Sequence, residues 1–206
     1  MKQLLICCCL CLINIASYAQ EEFYRDKGGM TLHYGHSYAN EAGHFNSVGV
    51  GVLFKNGIAF GVSNQQIADQ VKPQLYLGYM SRPKTDNFYA RANAQLSYIS
   101  SSFARIVGVN LGLSYLLNGQ KQFPSSLNGV FGINHVKLKQ TESNFYFTPT
   151  DSEIIPAMGI AFNQAFFAHH TLTPFISIGV GHELKNNTTG FSFSMGLNIN
   201  FNGSDN

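Results

Sequence analysis

The seven histidines are the residues best suited to bind a metal ion or haem, because imidazole is a good ligand for zinc, copper and iron. No two of them have the i, i+2 or i, i+4 spacing that would preorganise a site on one strand or one helix. We therefore predict solvated histidines, with no metal ion and no cofactor. They are His33, His36, His44, His135, His169, His170 and His182.

A serine close to two histidines is the second candidate, since serine hydrolases need a serine, a histidine and an acid in contact. His33 and Ser37 share one face of a predicted strand, but they are four residues apart, about 13 Å at ~3.3 Å per residue. His36 and Ser37 point to opposite faces. The sequence contains no G-x-S-x-G elbow. We predict no catalytic residue, and a lipid hydrolase is kept as an alternative.

Charge is sparse along the whole chain. Only 12% of the 206 residues are charged and the formal net charge is +2, whereas an average soluble domain carries about 25% charged residues. There is no basic stripe of the kind that neutralises phosphates, so we expect no nucleic-acid partner. Most of the surface of the folded protein must therefore consist of uncharged residues.

The first nineteen residues have the pattern of a secretory signal peptide. Lys2 is followed by an apolar run from Leu4 to Ile15, and Ser17 and Ala19 occupy the two positions that signal peptidase reads. The run is too short for a transmembrane helix, which needs about 20 residues. We predict cleavage after Ala19 and one mature domain, residues 20–206. The signal peptide holds every cysteine, so the mature chain has no disulfide: Cys7, Cys8, Cys9 and Cys11.

From Gly29 onward, apolar residues recur at every second position in segments separated by turn residues, a pattern typical of β-strands. In the last segment Leu197 lies on the apolar face and Asn198 on the polar face. Asn56-Gly57 predicts a tight hairpin, because both residues accept positive φ angles. The predicted strands are 29–38, 46–55, 58–64, 72–82, 88–99, 105–117, 127–138, 154–164, 173–184 and 190–201.

The polar face of these strands decides the fold class. It is rich in glycine, serine and asparagine and nearly free of charge, which would make a poor soluble exterior but suits the interior of a closed barrel. The apolar face, which includes Val109, would then contact lipid. We predict an all-β fold, a closed antiparallel up-and-down transmembrane β-barrel of ten strands. Eight strands are the alternative, should 58–64 and one neighbour be irregular.

Four polar residues of special interest are predicted to face the lumen: Arg91, Asn93, Gln95 and Asn110. Arg91 is the charged exception on the polar face. It either anchors an interior hydrogen-bond network, with Tyr76 or Tyr89 as partner, or sets an anion preference in a narrow pore.

The connections are expected to alternate between the two ends of the barrel. Short turns lie at one end and longer loops at the other, the longest being 139–153 with the aromatic run Phe145-Tyr146-Phe147. Four histidines fall near the end with the longer loops: His36, His44, His135 and His182.

The signal peptide, the alternating strands and a last strand that ends on an aromatic residue resemble the small outer-membrane β-barrel proteins of Gram-negative bacteria, in particular the barrels common in Bacteroidetes. The resemblance implies that the last strand is the recognition signal for the barrel assembly machinery. The tail 202–206 departs from the family pattern, in which the aromatic residue is usually final. The residues of the implied signal are Phe191, Phe193, Met195, Leu197, Ile199 and Phe201.

Three functions are consistent with these patterns. The leading hypothesis is a non-enzymatic outer-membrane barrel with a structural role, or with an extracellular partner that contacts the loop 139–153. The second is a narrow channel or carrier of a small ligand, since a large open channel needs about 16 strands. The third is a lipid-modifying enzyme of the outer membrane.

Overall fold

Ten β-strands make up the fold in a computed structural model that describes residues 28–39, 43–67, 70–81, 90–100, 104–117, 123–138, 152–167 and 171–201. The predicted signal peptide, 1–19, lies outside these ranges. In the described residues, no helix is long and apolar enough to cross a bilayer. The strands are β1 (Gly29–Ala39), β2 (Gly43–Leu53), β3 (Ile58–Ile67), β4 (Gln70–Met80), β5 (Ala90–Ser100), β6 (Ala104–Leu116), β7 (Ser125–Leu138), β8 (Ser152–Ala165), β9 (Leu172–Glu183) and β10 (Thr188–Asn200).

Every strand pairs antiparallel with its neighbours in sequence, and β10 pairs with β1 to close the barrel. Closure satisfies the backbone hydrogen bonds of both edges, which an apolar surrounding could not do. The predicted ten-stranded up-and-down barrel is confirmed. The eight-strand alternative is wrong, because β3 is a regular strand that pairs with β2 along Leu53↔Ala59 to Phe45↔Ile67.

The strand order places the connections at two opposite ends. We call the end that carries Gly28 and Phe201 the terminal end, and the other end the loop end. The β2–β3 hairpin lies at the terminal end, where Gly57 has a positive φ of 90° and its amide donates to the Phe54 carbonyl. The loop end carries the connections 40–42, 68–69, 101–103, 139–151 and 184–187.

The two faces of the wall differ as the alternation predicts. Large apolar side chains point outward, among them Val109, Leu111 and Leu113, each more than half exposed. The residues between them point inward and are small or polar, and Asn110 is fully buried. The barrel thus presents an apolar exterior around a polar and glycine-rich interior.

Inside the barrel, large side chains lie directly opposite glycines on the neighbouring strand. The Tyr76 ring covers Gly61, so that a methyl group on Gly61 would come within 2.3 Å of the ring. The same holds on β6 and β7, where such a methyl on Gly132 would lie 2.0 Å from Asn110 Oδ1. Such pairs in the described part of the chain include His33 with Gly49, Tyr76 with Gly61, Asn93 with Gly112, Asn110 with Gly132, Asn134 with Gly108, and Phe175 with Gly196.

Apolar side chains also point inward near both ends of the barrel. Near the loop end, Ile99, Ile106 and Val136 are opposite one another on three consecutive strands and are almost completely buried. Phe45 and Ile155 are buried there as well. We call these five residues the loop-end apolar layer.

Two apolar clusters occupy the interior near the terminal end. They consist of Leu53, Ala59 and Met80, and of Leu116, Ala165 and Phe175. The polar part of the interior therefore lies between apolar side chains on both sides.

The glycine pairs predict that Gly196→Ala destabilises the barrel. A methyl group there would lie 2.2 Å from the Leu32 carbonyl oxygen and 2.6 Å from Phe175 Cζ, and overpacking of this kind typically costs about 1–3 kcal/mol. The free energy of unfolding of the refolded barrel in lipid vesicles is the quantity to measure.

Gly129→Ala is the matched control, since a methyl group at Gly129 would meet no atom within 4 Å. Equal stabilities of the two variants would show that the interior glycines are not needed for packing.

Candidate functional site

The structure places the polar residues singled out in the sequence inside the barrel. Asn93 and Gln95 on β5 and Asn110 on β6 are at most 8% exposed. They belong to a belt of buried amides that runs across β5 to β8. We call this set the amide belt: Asn93, Gln95, Asn110, Asn128, Asn134 and Asn163.

Hydrogen bonds join side chains of neighbouring strands around the interior. Asn163 Nδ2 donates to Ser126 Oγ at 3.1 Å, and Asn93 Nδ2 lies 3.4 Å from Ser114 Oγ. On the opposite wall, Thr31 Oγ1 donates to Asn198 Oδ1 at 2.9 Å. The side-chain amides of Asn128 and Asn134 make no hydrogen bond within the described part of the chain. Some polar side chains of the interior therefore form hydrogen bonds with one another, and the interior is closely packed.

Arg91 lies on the inward face of β5, nearer the terminal end and opposite Ser114. Tyr76, one of its two expected partners, packs over Gly61 of β3, and Tyr89 lies outside the described residues. The Arg91 side chain is half-buried, and its Nε atom is fully buried.

Glu183 is a fully buried acid at the loop end. Its carboxylate accepts hydrogen bonds from the backbone amides of Lys185 at 2.5 Å and Asn186 at 2.9 Å. These contacts hold the β9–β10 turn, in which Asn187 has a positive φ of 56°. Lys185 Nζ reaches Glu153 at the start of β8. Glu183 therefore shapes the turn and lies far along the barrel from Arg91.

The structure brings together two histidines that their sequence spacing did not connect. His36 on β1 and His44 on β2 both point outward near the loop end, and His36 Nε2 is 3.1 Å from His44 Nδ1. Asn46 lies opposite His36 in the register, and its Oδ1 is 2.8 Å from His36 Nδ1. The sequence spacing does not indicate this contact, because the second predicted strand starts at 46, whereas β2 begins at Gly43.

The other histidines lie apart from this pair. His33 is buried inside the barrel over Gly49, and Ser37 is four residues further along the same inward face, so the two are not brought into contact. His135 points outward, and His182 Nδ1 lies 3.0 Å from Thr189 Oγ1. The pair 169–170 falls outside the described residues. Within the described residues, no group of three or more histidine, cysteine or acidic side chains could hold a metal ion.

The residues of the implied assembly signal lie on β10 and just after it. Phe191, Phe193 and Met195 are exposed on the outer wall, and Phe201 follows the end of the strand. Leu197 and Ile199 continue the same outward face and are partly covered. Outward apolar residues thus extend along the whole strand that closes the barrel.

The contacts of Glu183 predict that Glu183→Gln destabilises the barrel by about 1.5–3 kcal/mol, the usual value of hydrogen bonds to a charged group. The amide that replaces the carboxylate has a single acceptor oxygen for the turn. Denaturant unfolding in vesicles would measure the loss.

Glu153→Gln is the comparison, since it removes only an ion pair with the half-exposed Lys185, which is worth about 0–1 kcal/mol. A larger loss in Glu153→Gln than in Glu183→Gln would refute the role given to Glu183.

No protein-family model matches the chain, and no characterised protein matches its sequence. Solved structures match its fold. The translocator domain of the autotransporter NalP from Neisseria meningitidis aligns over 92% of this chain and 93% of its own length, with a TM-score of 0.52 and 9% identity.

Two further barrels align less closely. Neisserial surface protein A covers 84% of this chain and 97% of its own length, with a TM-score of 0.47 and 11% identity. The N-terminal β-barrel domain of Pseudomonas aeruginosa OprF covers 85% of this chain and 100% of its own length, with a TM-score of 0.45 and 8% identity. At these identities the likeness concerns the fold alone. The chain has a closed antiparallel β-barrel fold of the kind found in bacterial outer-membrane proteins.

Proposed function

We propose that this chain is a non-enzymatic β-barrel protein of the bacterial outer membrane with a filled, non-conducting interior. It acts through its outer wall and its loop end, either in the structure of the envelope or in contact with a partner outside the cell. The observation that carries the proposal is the combination of an apolar exterior with an interior in which most of the inward side chains are buried.

The outer wall supports the membrane location. Leucine, valine, isoleucine and phenylalanine side chains are exposed around the barrel, and a soluble protein that exposed so large an apolar surface would aggregate. Hydrocarbon is the environment that such a wall fits, provided that no strand edge is left open. The pairing of β1 with β10 meets this condition.

The interior supports a non-conducting barrel. Asn110 and Asn134 in the amide belt are fully buried, as are Val136 and Ile155 in the loop-end apolar layer. An open aqueous channel would leave such side chains exposed. Apolar constrictions also oppose ion passage, because they do not hold water. A narrow channel is therefore the weaker candidate.

The inward residues also oppose a lipid hydrolase. A triad at the lipid surface would have to point outward, whereas His33 and Ser37 point into the barrel. The neighbouring outward residue, His36, contacts Asn46 and His44. None of these contacts joins a serine to a histidine and an acid.

Two parts of the proposal concern partners. We propose that the outward face of β10 is read by the barrel assembly machinery during insertion, as the family resemblance implies. We also propose that the loop 139–153, nearly all of which falls outside the described residues, offers a contact surface beyond the membrane.

The membrane location predicts a depth-dependent cost of charge on the outer wall. Leu111 lies near the middle of β6 and is 58% exposed, so Leu111→Arg should cost about 2–4 kcal/mol of unfolding free energy in lipid vesicles.

Ile154→Arg is the control, because Ile154 is 63% exposed, slightly more than Leu111, but is the third residue of β8, near the loop end. Its expected cost is about 0–1 kcal/mol. Equal costs at the two depths would argue against a bilayer around the barrel.

The filled interior predicts no steady ion current when the refolded mature chain is inserted in a planar bilayer. Insertion is verified separately, by protection from protease and by the mobility shift of the unheated barrel in gels. A steady current would contradict the proposal. If Arg91→Ala then changed its anion preference, the narrow channel would replace the leading function.

A further inference from the structure

We propose that His36 and His44 form a binding site for a divalent transition-metal ion, of the copper or zinc type, on the outer wall at the loop end. The site lies outside the barrel and does not depend on whether the lumen conducts. Nothing in the proposed function requires it.

The separation of the two ring nitrogens fits one metal ion. His36 Nε2 and His44 Nδ1 are 3.1 Å apart, and each nitrogen binds zinc or copper at about 2.0–2.1 Å. An ion at that distance from both nitrogens would have an N–metal–N angle of about 98°, within the range of tetrahedral and square-planar sites. Small rotations of the two rings would aim both lone pairs at the ion.

Asn46 fixes the tautomer that His36 needs for metal binding. Asn46 Oδ1 accepts a hydrogen bond from the Tyr34 hydroxyl at 3.0 Å and lies 2.8 Å from His36 Nδ1. An amide oxygen can only accept a hydrogen bond, so His36 Nδ1 carries the proton and donates a hydrogen bond to Asn46 Oδ1. His36 Nε2 is then left with a lone pair that points at His44. Histidines that bind metals are held by their other ring nitrogen in this way.

The proton balance of the site is simple. Without a metal, His44 Nδ1 must donate to His36 Nε2. When the ion binds, the proton on His44 moves from Nδ1 to Nε2 through solvent, because His44 is exposed. Both imidazoles bind the ion in their neutral form, which supplies the two lone pairs.

The antiparallel pairing of β1 with β2 holds the two histidines in place. Tyr38 is paired with His44 and His36 with Asn46 in the strand register, so the histidines are diagonal neighbours on one face. The Tyr38 ring packs against His44 with a centroid separation of 5.0 Å. With two protein ligands, the remaining coordination positions are open to water or to a further ligand.

Titration of the refolded mature barrel in detergent with CuCl₂ tests the site, with calorimetry for affinity and electron paramagnetic resonance for the ligands. We expect one site with nitrogen hyperfine structure from two imidazoles. His36→Ala and His44→Ala should each remove this signal. His135→Ala and His182→Ala are the controls, and both should retain it.

Asn46 is a positioning residue, and its variants separate that role from simple packing. Asn46→Ala should weaken Cu²⁺ binding by about tenfold, and Asn46→Asp should restore it, because a carboxylate also accepts from His36 Nδ1. All variants must show the mobility shift of the folded barrel. Unchanged binding in both His36→Ala and His44→Ala, or a spectrum with a single nitrogen ligand in the wild-type protein, would overturn the proposal.

Discussion

The small diameter of a ten-stranded barrel is the constraint on which the rest of the structure depends. Several large side chains inside it lie where the opposite position on the next strand is a glycine, as in the pairing of Tyr76 with Gly61 and of Asn110 with Gly132. The glycines therefore do more than permit curvature. They determine which strand can hold which large residue, and so they help to fix the register of the wall.

The same constraint explains why the interior is layered. Amides in the middle can bond to hydroxyl groups on neighbouring strands, as Asn163 does with Ser126. Near the ends, where water would otherwise enter, apolar side chains such as Ile106 and Phe175 fill the section. A filled polar interior contributes little driving force for folding, because many of its groups exchange hydrogen bonds to water for hydrogen bonds of similar strength within the protein. The packed interior instead keeps the barrel wall at one diameter, while the apolar exterior faces its surroundings.

Much of the fold could be predicted from sequence, because period-two alternation records which face each residue occupies. All ten strands were located, and β1 begins at the predicted residue, Gly29. The apolar layers could not be predicted in the same way. Ile106 and Leu53 stand on the polar face of their strands, and only the three-dimensional register shows that Ile106 lies against Ile99 and Val136. The contact between His36 and His44 was missed for a related reason. It depends on the first residue of β2, and strand ends are the least certain part of a pattern.

The pairing of β1 with β10 has a consequence for the time course of folding. Thr31 and Asn198 bond across a separation of 167 residues, so the barrel is closed by its most distant segments in sequence. Contacts of this kind form late, because the chain loses conformational entropy before the contacts contribute favourable free energy. Until β10 is in place, β1 and β9 are both unpaired edges with apolar flanks, prone to join other chains. The unclosed sheet is therefore the stage at which this protein most needs protection, and a chain shortened within β10 would remain at that stage.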